Sequence, residues 1–118
     1  MKLKAMTTIQ LTEQFRELTL AQFEASESGY TTKYNRLFRE MQDVIGELKS
    51  RSGGQIRSLM SLHQDANPQV RFMAAVATKD IDPEATRRVC ELIDQRNEYP
   101  PAPDARQMLR QLGGGGRT

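Results

Sequence analysis

The sequence predicts an all-α protein, built as a small stack of antiparallel helical hairpins with about six helices. Apolar residues recur at three- and four-residue steps, Asn-Pro and Asp-Pro pairs stand where helices would begin, and no stretch alternates apolar and polar residues for long. The 118 residues suffice for one domain, which we place at 7–112 between flexible ends at 1–6 and 113–118.

The first predicted helix runs from about Thr8 to Ser26. A capping box of Thr7 and Gln10 opens it, and Gly29 ends it, because glycine adopts the left-handed conformation at a helix C-terminus at little cost. Its inward stripe comprises Leu11, Phe15, Leu18 and Gln22.

The second predicted helix, from Thr32 to about Arg51, has the clearest periodicity, and Gly53-Gly54 stops the chain from continuing it. Seven apolar positions form its predicted stripe: Tyr34, Leu37, Phe38, Met41, Val44, Ile45 and Leu48.

The third and fourth helices are shorter. The third is predicted at Gln55 to His63, with Ile56, Leu59, Met60 and Leu62 as apolar positions. The fourth begins at Pro68 after the capping residue Asn67 and runs to about Lys79. It is apolar nearly all round, which predicts a central helix with Phe72 in the core.

The fifth and sixth helices complete the prediction. Pro83 opens the fifth, which runs to about Gln95 with Ala85, Val89, Leu92 and Ile93 inward. Three prolines make Arg96 to Pro103 an extended loop, and the last helix follows from about Asp104 to Leu112.

One segment resembles the turn and second helix of a HEAT repeat: Asp65-Ala-Asn-Pro-Gln-Val-Arg, followed by Phe72-Met-Ala-Ala-Val-Ala. The resemblance implies that the alanines allow close helix packing and that Arg71 pairs with acidic turn residues. It also implies a right-handed α-solenoid.

A wider set of motifs is similar to a family of short bacterial proteins of unknown function with a HEAT-like helical-repeat fold. The motifs are Lys33-Tyr-Asn-Arg-Leu-Phe with Met41, Asn67-Pro-Gln-Val-Arg, and Asp104-Ala-Arg with Leu109 and Leu112. The resemblance covers Met6 to Leu112, which makes Met6 an alternative start. It implies no established activity and no catalytic or ligand residue.

The residues that could carry catalysis are few, so we expect the protein not to be an enzyme. Cys90 is the single cysteine and lies in no nucleophile motif, and His63 is the single histidine. His63 and Asp65 are too few ligands for a metal site, so we expect neither metal nor cofactor. One cysteine and the lack of a signal or spanning segment predict a cytoplasmic protein without membrane contact.

Charge favours no nucleic-acid partner. Seventeen Lys and Arg residues stand against fifteen Asp and Glu residues, and carboxylates are interleaved with the arginines of the C-terminal half. Nucleic-acid binding by the helical repeat is therefore the alternative hypothesis. The preferred one is a non-catalytic protein-interaction module of a bacterial cytoplasmic protein, and a narrower form, by analogy alone, is an immunity-type inhibitor of a toxin.

We expect partner binding at exposed polar and aromatic positions, above all at the loop from Arg96 to Pro103, since aromatic and arginine side chains on ordered loops are frequent binding anchors; Arg71 on the predicted fourth helix is included. The predicted partner-binding residues are Tyr30, Arg71, Arg96 and Tyr99.

Overall fold

Residues 2–113 are described by the computed structural model, and within them the chain is helical and contains no strand, which confirms the all-α prediction. A 3₁₀ turn at Leu3–Ala5 precedes the α-helices, and a longer 3₁₀ helix at Gln55–Gln64 follows the second of them. The α-helices are α1 (Thr8–Ser28), α2 (Thr31–Ser50), α3 (Pro68–Ala77), α4 (Pro83–Arg96) and α5 (Ala102–Gln111).

The chain forms two compact units, Met1–Ser58 and Leu59–Thr118. Their boundary falls inside the 3₁₀ helix Gln55–Gln64. A single domain at 7–112 and the solenoid arrangement stay predictions. The predicted flexible start contains the 3₁₀ turn Leu3–Ala5, while positions 1 and 114–118 lie outside the described residues.

The first unit is a helical hairpin in which α1 packs against α2. The predicted capping box is present, because the Thr7 hydroxyl accepts from the Gln10 amide and the Gln10 side chain accepts from the Thr7 amide. Gly29 ends α1 with φ 77°, as predicted. The fully buried side chains between the helices include Leu11, Phe15, Met41, Val44 and Leu48.

The second unit packs α3 and α5 against α4. Asn67 and Asp82 cap α3 and α4, and a proline occupies the first turn of each helix, as the sequence predicts. Phe72 is buried, so it belongs to the core as predicted. The buried cluster comprises Phe72, Ala75, Val89, Cys90, Ile93, Ala102, Ala105 and Met108.

The third predicted helix is a 3₁₀ helix, and the spacing of its buried residues explains this. Ile56, Leu59 and Leu62 are all buried and stand three residues apart. A 3₁₀ helix has three residues per turn, so these side chains align on one side, as they would not in an α-helix.

The last helix begins at Ala102, two residues before the predicted start at Asp104, so the predicted extended loop is shorter than expected. Pro103 lies in its first turn, where the missing amide hydrogen costs nothing. No helix within residues 2–113 is long and apolar enough to span a membrane.

The helix cap and the hairpin core should contribute unequally to stability. The Asn67 side chain accepts from the amides of Gln69 and Val70, so Asn67→Ala should lower the free energy of unfolding by about 1 kcal/mol. Leu37→Ala should lower it by about 2–5 kcal/mol through the cavity left in the core. Urea denaturation measures both, with the exposed Gln95→Ala as control. Equal stability of all three variants would contradict the assignment of Asn67 as a helix cap and of Leu37 to the hairpin core.

The buried side-chain amide of Gln22 provides a second test of stability. Gln22 on α1 is 2% exposed, and its Nε2 has no hydrogen-bond partner among the described residues. An unsatisfied buried donor costs about 1–3 kcal/mol, so Gln22→Met, which keeps the shape and removes the donor, should raise stability by about 1 kcal/mol. Thermal denaturation measures the change. A lower melting temperature would show that the amide has a partner.

Candidate functional site

Arg71 on α3 lies at the centre of a polar network in the second unit. It is 9% exposed, and its Nε donates to the Asp65 carbonyl at 2.8 Å. Its two terminal nitrogens donate to the two carboxylate oxygens of Glu98, each at 2.9 Å. The Asp65 carboxylate in turn accepts from the amide of Asn67, the residue that caps α3. The network therefore connects the turn before α3 with the turn after α4.

The HEAT resemblance implies that Arg71 pairs with an acidic turn residue, and the structure contains such a pair; the same pair gives one predicted site residue an internal contact. The acidic partner of Arg71 is Glu98 in a later turn, while Asp65 offers its backbone carbonyl. The hydrogen bond from Arg71 lowers the pKa of Glu98, burial opposes this, and the charges of Arg71 and Arg96 add to the lowering. Arg71 thus has an internal role where the sequence predicts a partner contact.

The other predicted contact residues are exposed. Tyr99 is 60% exposed in the turn between α4 and α5, next to Glu98, and Arg96 is the exposed last residue of α4. A hydrogen bond to Tyr99 adds to that of Asp94 in raising the pKa of Arg106. The structure therefore brings Arg71, Arg96 and Tyr99 to one turn of the second unit. Partner binding by these residues stays a prediction.

Tyr30 belongs to the first unit, where two aromatic side chains of the predicted stripe of the second helix follow it along the chain. Tyr30, Tyr34 and Phe38 are four residues apart, so they stand on successive turns at the start of α2. All three are exposed, Tyr30 to 63% and Phe38 to 43%. We call these three residues the aromatic surface.

Two local features explain this exposure. Phe38 lies about 100° around the helix from Leu37, at the edge of the buried stripe. Tyr34 faces a region of small residues, where Ala25, Ser26 and Gly29 at the end of α1 leave a cleft that Tyr30 and Tyr34 also line. Two of the seven positions of the predicted stripe, Tyr34 and Phe38, are therefore exposed.

The polar residues beside the aromatic surface are mainly basic. Lys33 and Arg39 are exposed and make no ion pair with any described residue, while Arg36 pairs with Glu40 at 3.6 Å. Aromatic residues and arginine are enriched at protein interfaces, and both residue types are present here.

A second cleft lies on α4, in the second unit. Its α4 side carries Ala85, Arg88, Val89 and Leu92, residues at helical spacing on one face. His63 and Gln64 at the end of the 3₁₀ helix, together with Arg71, complete the lining of a cavity of about 260 Å³. We call it the α4 cleft.

The α4 cleft includes one residue that the sequence places in the core. Leu92 is 43% exposed, so its predicted inward position is wrong. It precedes the fully buried Ile93 by one residue, and this turns it toward the rim of the cleft.

The single cysteine and the single histidine, the residues best suited to nucleophilic or acid–base chemistry, both contact other parts of the protein. Cys90 is buried, and burial with the charge of Glu91 raises the pKa of its thiol to about 11. The Nε2 atom of His63 lies 3.0 Å from the Thr78 hydroxyl. Within residues 2–113, no three His, Cys, Asp or Glu side chains are grouped as metal ligands would be.

Several arginines of the second unit are engaged within the protein. Arg87 pairs with Glu84 and donates to the Leu112 carbonyl. Arg106 pairs with Asp94 at 2.5 Å. Such pairing reduces the positive charge that could meet phosphate groups.

Within residues 2–113 the protein is all-helical, and its surface includes the aromatic surface and the α4 cleft. The chain belongs to the family described as a domain of unknown function, DUF2019, whose model matches residues 9–113. It is similar to the protein RPA1889 from the bacterium Rhodopseudomonas palustris CGA009, known from a crystal structure. The identity is 36%, the match covers 98% of this chain and 95% of that chain, and the TM-score is 0.91. No curated protein matches the chain.

The ion pair of Arg71 and Glu98 should make stability depend on pH. Because the folded-state pKa of Glu98 is lowered, its contribution is present above the ordinary carboxyl pKa of roughly 4 and is lost as the pH falls through the lowered value. Glu98→Gln should therefore cost about 2–3 kcal/mol at pH 7, since Arg71 stays buried without its charge partner. Urea denaturation from pH 7 to pH 3 should show the two proteins converging in acid. A constant difference would contradict this role.

Proposed function

We propose that the protein is a non-catalytic protein-interaction module and that the aromatic surface is its binding site for a protein partner. The observation that carries the proposal is the exposure of Tyr30 at the N-cap of α2 and of Tyr34 and Phe38 on its first two turns. Exposed large apolar side chains that form one stripe indicate an interaction site, while single exposed ones are ordinary.

The placement of the surface supports recognition by shape as well as by apolar contact. Tyr30 and Tyr34 line a cleft of about 210 Å³ with the small residues at the end of α1, which could receive one side chain of the partner. Lys33 and Arg39 beside it favour a partner whose rim is acidic. Tyr99 and Arg96 are proposed contacts of the second unit.

The finer assignments remain part of this proposal. A HEAT-like repeat at α3 and α4 is supported by the alanine-rich α3 and by the arginine that ties its turn to Glu98. The narrower version of the proposed function is an immunity-type inhibitor of a toxin in the cytoplasm of a bacterium. This version rests on analogy with other small helical proteins. Nucleic-acid binding is the alternative.

Site-specific photocrosslinking tests the proposal in living cells. A photoreactive phenylalanine analogue at position 34 should give a discrete crosslinked protein, which mass spectrometry identifies. The matched control is the same analogue at position 9, because Ile9 is 77% exposed on α1 of the same unit and outside the aromatic surface. Equal crosslinking at both positions, or crosslinks to nucleic acid, would contradict the proposal.

Affinity for the identified partner provides the quantitative test. Tyr30→Ser should keep or raise stability, because Tyr30 is the N-cap of α2 without a side-chain cap bond and serine is a preferred capping residue. Combined with Phe38→Gln, it should weaken binding about tenfold or more, measured by calorimetry. Unchanged affinity would remove the aromatic surface from the interface.

A further inference from the structure

The α4 cleft combines a free cation with an accessible apolar side chain. Arg88 is exposed and makes no ion pair or hydrogen bond with any described residue. Leu92 lies one turn further along the same face and is also exposed. Ala85 and Val89 of α4 are both buried and form the apolar floor of the cleft. A cation and an apolar wall side by side suit a ligand that has both an anionic and an apolar part.

The charges around the cleft favour an anion. Its charged lining residues are Arg71 and Arg88, and no carboxylate lines it. The charge of Arg71 is balanced by Glu98, and the nearby carboxylate of Asp82 acts on His63 from outside the lining, so Arg88 is the lining cation without an ion-pair partner. Arginine binds carboxylates through paired N–H groups, which gives both strength and orientation.

The size of the cleft limits the ligand. Its volume of about 260 Å³ lies below the range of about 300–1,000 Å³ typical of drug-sized ligands. A group the size of one amino-acid residue fits this space better than an extended cofactor.

We propose that the α4 cleft binds the carboxylate of an apolar, amino-acid-sized acid, with Arg88 holding the carboxylate and Leu92, Val89 and Ala85 contacting the apolar part. A free N-acylated amino acid and the C-terminal leucine of a peptide share this chemistry. The site is separate from the aromatic surface and does not depend on the function proposed for it.

Nuclear magnetic resonance titration of the full chain tests the site with two matched probes. N-acetyl-leucine should produce saturable shifts of the backbone amides of the α4 cleft. N-acetyl-leucinamide has the same apolar part and no carboxylate, so it should produce weaker shifts that do not saturate. Equal binding of both probes, or shifts outside the cleft, would overturn the proposal.

A charge variant with a matched control separates specific binding from general attraction. Arg88→Gln should weaken binding of N-acetyl-leucine about tenfold or more, because it removes the charge-assisted contact. Arg110→Gln removes the same charge from an exposed position of α5 and should leave binding unchanged. The circular dichroism spectrum and melting temperature of each variant confirm that it folds. Equal losses in both variants would overturn the proposal.

His63 offers an independent signal inside the cleft. Burial lowers its pKa, the backbone of Ala74 and the charge of Asp82 raise it, and the charge of Arg88 lowers it further. A bound carboxylate should raise this pKa, since a nearby anion favours the charged imidazole. The pKa change is measured from the chemical shifts of the His63 imidazole protons, followed against pH with and without saturating N-acetyl-leucine. No rise at saturation would contradict the placement of the carboxylate.

A peptide ending in leucine distinguishes the two sources of the carboxylate. Tighter binding of the peptide than of N-acetyl-leucine assigns the site to a protein C-terminus, and equal binding assigns it to a free acid. Both results support the carboxylate site, whereas binding of the C-terminally amidated peptide as tight as that of the acid would overturn it.

Discussion

The buried guanidinium of Arg71 is the interaction on which the second unit depends. It joins the carbonyl of Asp65, before α3, to the carboxylate of Glu98, after α4, with three hydrogen bonds of 2.8–2.9 Å. A buried cation without partners would be strongly unfavourable, so its partners must hold their positions for the unit to fold as it does. The turn that carries Tyr99 and the wall of the α4 cleft are therefore positioned by the same residue.

Local signals in the sequence predict the helices because they act over three or four residues. Thr7 with Gln10, Asn67 with Pro68, and Asp82 with Pro83 start helices where the structure has them. The 3₁₀ helix could have been found from the three-residue spacing of Ile56, Leu59 and Leu62.

The candidate sites are harder to predict, because exposure depends on what packs against a helix. Tyr34, Phe38 and Leu92 satisfy the periodicity of an apolar stripe, yet each of the three side chains is exposed. Arg71 shows the reverse case. Its long side chain reaches a carboxylate 27 residues further along the chain, and no local pattern indicates this pairing.

The two proposed sites lie in different units and differ in chemistry. The aromatic surface offers rings and cations to a broad partner, whereas the α4 cleft offers one arginine and a small apolar wall. The thiol of Cys90 lines neither site, and burial raises its pKa to about 11. Membership of a family of unknown function leaves both as questions for experiment.

A double-mutant cycle on Arg71 and Glu98 tests the central claim, that this pair holds the second unit together. Arg71→Met, Glu98→Gln and the double variant are compared with the natural chain by urea denaturation at pH 7. The account predicts a coupling energy of about 1–3 kcal/mol, with the double variant more stable than the sum of the single changes implies, because the two groups contact each other directly. A coupling energy near zero would contradict it.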